Sequence, residues 1–404
     1  MPFFIIMLLL IGSASSVWAD DLTLTQKTTA FNRLAERLRE HPEVRAYVEK
    51  AQSQRFYGDG EQGLPDPMLM VGVQDYPIGS SMSRDQQETM IGFKQEIPGF
   101  GIRDAKISRA HAESEKTRLM ADYAFAAMKA KLVMALANLR RINEQEKIYK
   151  QQEALFTIER KSLSGRIEAN QSGVSQLTMH HADETEAKLN LSDLEEQKNE
   201  VLAMLTNMLG ETPDIAPPPI EMAAWHKDAE KTYPILIAGQ DITMAHREIA
   251  QRKAEYGPNF EVQANYGRMY NGDNAGTLTA GISIPLWASA SQKPRLKGAK
   301  ASLRAAESDV EMTKRSVIEK LNSLKAQIET SAAKIELLNI KQDSLNQSAN
   351  AMVREYEAGK ADMPSVLKAK RDALGIRASL AAEKAKRLTL IADFNHYFIE
   401  GESK

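Results

Sequence analysis

Residues 90–101, MIGFKQEIPGFG, change character halfway. Ile91, Phe93 and Ile97 alternate with Gly92, Lys94 and Glu96, the period of two that gives a strand one oily face. Pro98, Gly99 and Gly101 follow, and residues 102–164 then contain neither Gly nor Pro. Such a stretch predicts one uninterrupted helix. The same alternation recurs at Leu69, Val71 and Val73, and in NFEVQANYGRM at Phe260, Val262, Ala264 and Tyr266. After the turn NGDNAG it returns at Leu278, Ala280, Ile282, Ile284 and Leu286. Residues 299–358 form a second run free of Gly and Pro. In it Val317, Leu321, Leu324, Ile328, Ala332, Ile335, Leu338, Leu345, Ala349, Met352 and Tyr356 step by threes and fours, a coiled-coil seam.

These elements occur twice in one order. HPEVRA (41–46) is echoed by YPILIA (233–238), KQEIPGFG by GISIPLWAS, and SGVSQLTMHHADE (172–184) by DMPSVLKAKRDAL (362–374), at offsets between 187 and 192 residues. The predicted plan is a first repeat over 20–211, with strands near 68–76 and 88–97 and long helices near 101–164 and 174–209. A proline-rich linker, TPDIAPPPI, covers 212–220. The second repeat spans 221–404, with strands near 259–269 and 277–286 and helices near 295–358 and 365–400. At ~1.5 Å per residue the helices near 101–164 and 295–358 would each reach ~90–95 Å, too long for one compact core.

Export sharpens the picture. Phe3–Ile11 is an apolar run too short to span a bilayer, and Val17–Ala19 supplies a small-residue cleavage pattern, so 1–19 reads as a signal peptide although it lacks Lys and Arg. Cysteine is absent, which removes disulfides, thiolate chemistry and an N-terminal lipid anchor. The formal net charge of −2 gives no sign of nucleic-acid binding. If the chain meets a membrane it does so with strands of about 9–11 residues, the length that crosses a bilayer when tilted. A half-buried hairpin in a soluble protein would show the same alternation. Four strands cannot close a barrel, and an open edge in lipid leaves backbone groups unpaired. Closure would need several chains around an axis, three being the smallest number that leaves an open lumen.

The duplicated helix–hairpin–helix plan, with its Pro-ended strands and Gly-containing tips, resembles the TolC family of outer-membrane efflux ducts over about 25–400. LPDPML (64–69), QEIPGFG (95–101), IPLWASASQKP (284–294) and YEAGKADMPSVLKAKRDA (356–373) look most like its heavy-metal cation branch, the CusC/CzcC-like members. The resemblance implies a mainly α fold with a small β part. It implies a homotrimer: a 12-stranded β-barrel in outer-membrane lipid, continued by a periplasmic α-helical barrel. It also implies a periplasmic adaptor and an inner-membrane RND pump as partners. The exported cargo would be metal cations. The same duct could serve drugs, small organic compounds or a type I secretion system, and a soluble periplasmic coiled-coil scaffold is the alternative of another class.

The tips at 165–173 and 359–364 make Gly165, Arg166, Glu168, Gly359, Lys360 and Asp362 candidates for adaptor contact and closure, or else ordinary turn residues. Lys94, Glu96, Glu261, Gln263 and Asn265 are expected to face the lumen, where mixed charge argues against sharp ion selection. His180 and His181 diverge by about 100° on a helix and do not share an ion without a third ligand. GDGEQG (58–63) follows a helix and leads into Pro65 and Pro67, the wrong context for a nucleotide loop. No nucleophile–base pair or metal-ligand cluster has convincing spacing; the chain reads as non-enzymatic, without cofactor.

Overall fold

The computed structural model describes residues 29–76, 78, 87–169 and 174–399. The expected signal peptide, most of the polar loop expected at 77–87, and residues 170–173 of the first tip lie outside them. A helical stretch over 29–37 (α1) leads through a 3-10 turn, Leu38–Glu40, into α2 (Pro42–Gly60). Strands β1 (Met68–Gln74) and β2 (Glu88–Ile97) precede the 67-residue α3 (Ile102–Glu168) and then α4 (Val174–Leu209). The second half repeats the order with α5 (Tyr233–Ala254), β3 (Asn259–Met269), β4 (Asn274–Ser283), the 66-residue α6 (Gln292–Glu357) and α7 (Met363–Asn395). No helix among the described residues is long and apolar enough to cross a membrane.

Two compact units emerge. One comprises the chain up to Arg45, Tyr123–Asp228 and Val317–Lys404; the other comprises Ala46–Asp122 and Ala229–Ser316. In the first, Phe31, Leu38, Phe125, Leu132, Leu136, Leu205 and Ala392 build a core from both ends of the sequence. Ile215 and Ile220 of the proline-rich segment pack on it, so this linker is seated rather than loose. Trp225 sits edge-on to Phe398 at 5.9 Å and donates its indole N–H to Asn322 Oδ1. Within this unit Val317, Leu321, Leu324, Ile328 and Ala349 are buried, as the heptad stripe requires, while Tyr356 at its end is exposed. Ser331, also buried, donates to the Glu383 carbonyl of α7.

The second unit holds one sheet of order β1-β2-β3-β4, antiparallel throughout. The two repeats therefore meet at its centre, through β2 and β3. Two strands have limits that differ from the sequence expectation. β1 stops at Gln74, and Asp75 next to it has a positive φ of 54°. β4 runs Asn274–Ser283 rather than 277–286. Pro285 cannot donate to a ladder, and Leu286 N–H turns back to the Ile284 carbonyl, so the apolar alternation outlasts the pairing. α6 then starts at Gln292, three residues before the expected 295, because Pro294 is tolerated in a first turn.

Candidate functional site

Cross-strand register decides which side chains share a face, because partners directly opposite point the same way. Lys94 faces Gln263, Glu96 faces Glu261, and Gly92 faces Asn265. Lys94, Glu96, Glu261, Gln263 and Asn265 therefore lie on one side of the sheet. Lys94 Nζ stands 2.7 Å from Glu261 and 3.9 Å from Glu96, and Gln263 donates to Asn265 Oδ1 at 3.1 Å. Thr277, Thr279 and Ser283 of β4 continue this polar face. Glu88 also belongs to it. The sequence reading missed Glu88, although its even spacing from Lys94 and Glu96 carries the signal.

The opposite face is apolar. Leu69 pairs with Phe93, Val71 with Ile91, Ile91 with Tyr266, Phe260 with Ile282, and Ala264 with Leu278. Val71 and Leu278 are about three-quarters exposed, at 76% and 77%, far from the burial an apolar strand face finds inside a soluble core. Exposed aromatic rings lie at both ends of the strands. Tyr76, Tyr266 and Tyr270 stand exposed toward the loops, and Phe100 and Trp287 toward the helices.

The strands pass into helices through a fixed joint. Gly99 N–H donates to Asn259 Oδ1 at 2.7 Å, and a Cβ on Gly99 would meet the Pro258 carbonyl at 2.7 Å. Gly101 has φ +82°, which a side chain rarely adopts, and its carbonyl accepts from Ala105 in the first turn of α3. Lys106 and Arg103 tie that turn to Glu61 and to the Gln62 carbonyl. Phe100 contacts Phe260 edge-on at 5.9 Å.

The helix tips differ from expectation: α7 runs Met363–Asn395 rather than 365–400, and the first tip departs further. Gly165, Arg166 and Glu168 lie inside α3, whose helix runs to Glu168 instead of ending at 164. The Gly165 carbonyl still accepts from Ala169 N–H at 3.1 Å. A single glycine weakens a helix without ending it when neighbouring bonds remain. At the second tip the chain does turn. Gly359 takes φ +72°, Lys360 N–H returns to the Glu355 carbonyl at 2.7 Å, and Gly359 N–H to Tyr356 at 2.9 Å, a Schellman closure. Asp362 caps α7 by accepting from Ser365 N–H and from its hydroxyl, at 3.1 and 2.6 Å. Arg166 Nη1 reaches Asp362 Oδ2 at 2.9 Å, joining the two tips across 196 residues of sequence. The Ser365 hydroxyl first, and Arg166 after it, hold the Asp362 carboxyl below its ordinary value.

Farther along the hairpins, Glu146 bonds Lys150 and Lys198, which lower its carboxyl to about 2. His180 is buried edge-on to Phe156, 3.7 Å from Glu159, whereas His181 is exposed. Among the described residues no three His, Cys, Asp or Glu side chains stand together in a way that could hold a metal ion.

Residues 235–392 match the family model described as Outer membrane efflux protein. A comparison with curated protein sequences returns no match. Among solved structures, the outer membrane protein VceC from Vibrio cholerae is 16% identical, with a TM-score of 0.74 over 93% of this chain and 97% of that one. CusC, from crystal structures concerned with folding and transmembrane channel formation, is 12% identical with a TM-score of 0.75, covering 91% and 92%. The open-state MtrE outer membrane channel of Neisseria gonorrhoeae is 14% identical with a TM-score of 0.75, covering 91% and 88%. The chain thus has the TolC-like fold of these outer-membrane channels, and its residues 235–392 are similar to the outer membrane efflux protein family.

Proposed function

We propose that this chain is one subunit of a passive exit duct: a homotrimer whose twelve strands close a barrel in the outer membrane and whose helices continue as a barrel in the periplasm. One observation carries the reading. A four-stranded sheet with one apolar, exposed face and one charged face has, among the described residues, two unpaired edges at β1 and β4. Lipid accepts that sheet only if other copies satisfy the edges. Lys94, Glu96, Glu261, Gln263 and Asn265 then line the water-filled side, and the aromatic rings at the ends of the strands sit at the two lipid–water boundaries. The tips around Arg166, Gly359, Lys360 and Asp362 are the surface offered to a periplasmic adaptor, behind which an RND pump would drive export. The cargo we assign is heavy-metal cations, on the strength of the LPDPML, QEIPGFG, IPLWASASQKP and YEAGKADMPSVLKAKRDA segments.

Detergent extraction of outer membranes should yield a heat-stable trimer, with lipid shielding the apolar strand positions from water-soluble label. A soluble periplasmic monomer would overturn the duct. Deleting the gene should raise sensitivity to copper, silver, zinc, cobalt or cadmium. If sensitivity changed only toward drugs or dyes, the duct would stand and its cargo would be organic.

A further inference from the structure

Glycine inside a strand weakens it and needs a local reason. Five glycines lie in the four strands: Gly72, Gly92, Gly267, Gly276 and Gly281. None has a positive φ, so backbone conformation is not the reason. Space is. A Cβ on Gly267 would lie 1.8 Å from Glu88 Oε1, 2.4 Å from its Cδ and 2.5 Å from its Cγ. On Gly281 it would lie 2.7 Å from Glu261 Cγ and 2.8 Å from Oε1. On Gly92 it would lie 2.3 Å from Asn265 Oδ1. Contacts that reach back to Cγ cannot be relieved by swinging a carboxylate alone; the whole side chain must leave. By contrast a Cβ on Gly276, which sits on the apolar face, or on Gly72 of the edge strand β1, meets nothing within 4 Å.

The three covered glycines all lie on the polar face, and each is covered by a polar side chain from a neighbouring strand. Asn265 and Glu261 come from positions directly opposite Gly92 and Gly281. Glu88 comes from the diagonal, since Gly267 itself faces Met90. We propose that Gly92, Gly267 and Gly281 are seats that hold Asn265, Glu88 and Glu261 flat against the wall, and that these seats set the free width of the strand-lined part of the conduit. Seated in this way, Glu261 also presents its carboxylate to Lys94 at 2.7 Å, so charge is paired along the wall instead of projecting from it. A methyl group on a seat leaves the displaced side chain one direction to go, away from the sheet, and three-fold repetition would place three such obstructions at one level.

This inference rests on the duct reading, and the test separates the two. Purified trimer is reconstituted into planar bilayers in potassium chloride, and single-channel conductance is compared for the parent, Gly267→Ala, Gly281→Ala and Gly276→Ala. The two seat variants should conduct less by roughly a quarter to a half, while Gly276→Ala conducts as the parent does. Adding Glu261→Ala to Gly281→Ala, or Glu88→Ala to Gly267→Ala, should restore conductance by removing the displaced group. Each pair is read independently, so poor trimer yield in one leaves the other decisive. Seat variants at parental conductance, or a loss that the second substitution does not relieve, overturn the seats and leave the duct intact. A parent trimer that opens no pores overturns both.

Discussion

Gly165 and Gly359 stand near the ends of the two longest helices, and the chain treats them oppositely. Gly165 is absorbed into α3, its carbonyl still bonded, whereas Gly359 takes a left-handed conformation and ends the helical run of α6. The glycine does not make the difference. Around Gly359, Lys360 N–H satisfies the Glu355 carbonyl, and Asp362 and Pro364 then start a new helix at once. A helix ends where its orphan carbonyls find other donors and the next residues prefer a cap. Gly165 has no such succession after it before residue 168.

Substitution should sharpen that contrast. The largest effect is expected from Gly359→Ala, which forces a side chain into the left-handed region and should destabilise the second tip by about 1–2 kcal/mol. Hydrogen exchange of the amides around 356–366 would report it as faster opening. Asp362→Ala removes the cap of α7 and should cost about 1 kcal/mol locally. The same carboxyl gives the tip a pH dependence. Its value in the folded chain is lowered from the ordinary 3.8, so its contribution is complete well above that value and is lost as pH falls through the lowered one. Acid titration of exchange rates should show this loss in the parent and not in Asp362→Ala. Gly165→Ala should act in the opposite sense to Gly359→Ala, stabilising the end of α3 by about 0.5–1 kcal/mol, with slower exchange around 161–169. The smallest effect belongs to Arg166→Gln. Its ion pair is partly solvated, and its loss should cost less than about 0.5 kcal/mol, vanishing in high salt.

What the sequence made legible follows from periodicity. The period of two assigned Ile91, Phe93, Val262 and Leu278 to one face and Lys94, Glu96 and Glu261 to the other before any pairing was known, and the register aligns those faces across all four strands. The near-3.5 period marked the buried side of α6 from Val317 to Ala349. Where reading by pattern overran, a hydrogen bond decided. Ile284 and Leu286 keep the alternation of β4, yet the turn at Pro285 takes them out of the ladder. Long-range pairs left no local trace. Nothing near Arg166 announces Asp362, and nothing near Gly267 announces the Glu88 that lies over it. The even spacing that joins Glu88 to Lys94 was available and would have found the face, though not the partner.

The sheet has an even strand count, and its neighbours alternate in direction. Its first and last members therefore run oppositely, so the free edge of β4 in one copy can receive β1 of the next without any reversal of polarity. Rotation alone completes such a ring. Each junction of such a ring would join β1 of one polypeptide to β4 of another, so a single subunit carries both a plug and a socket.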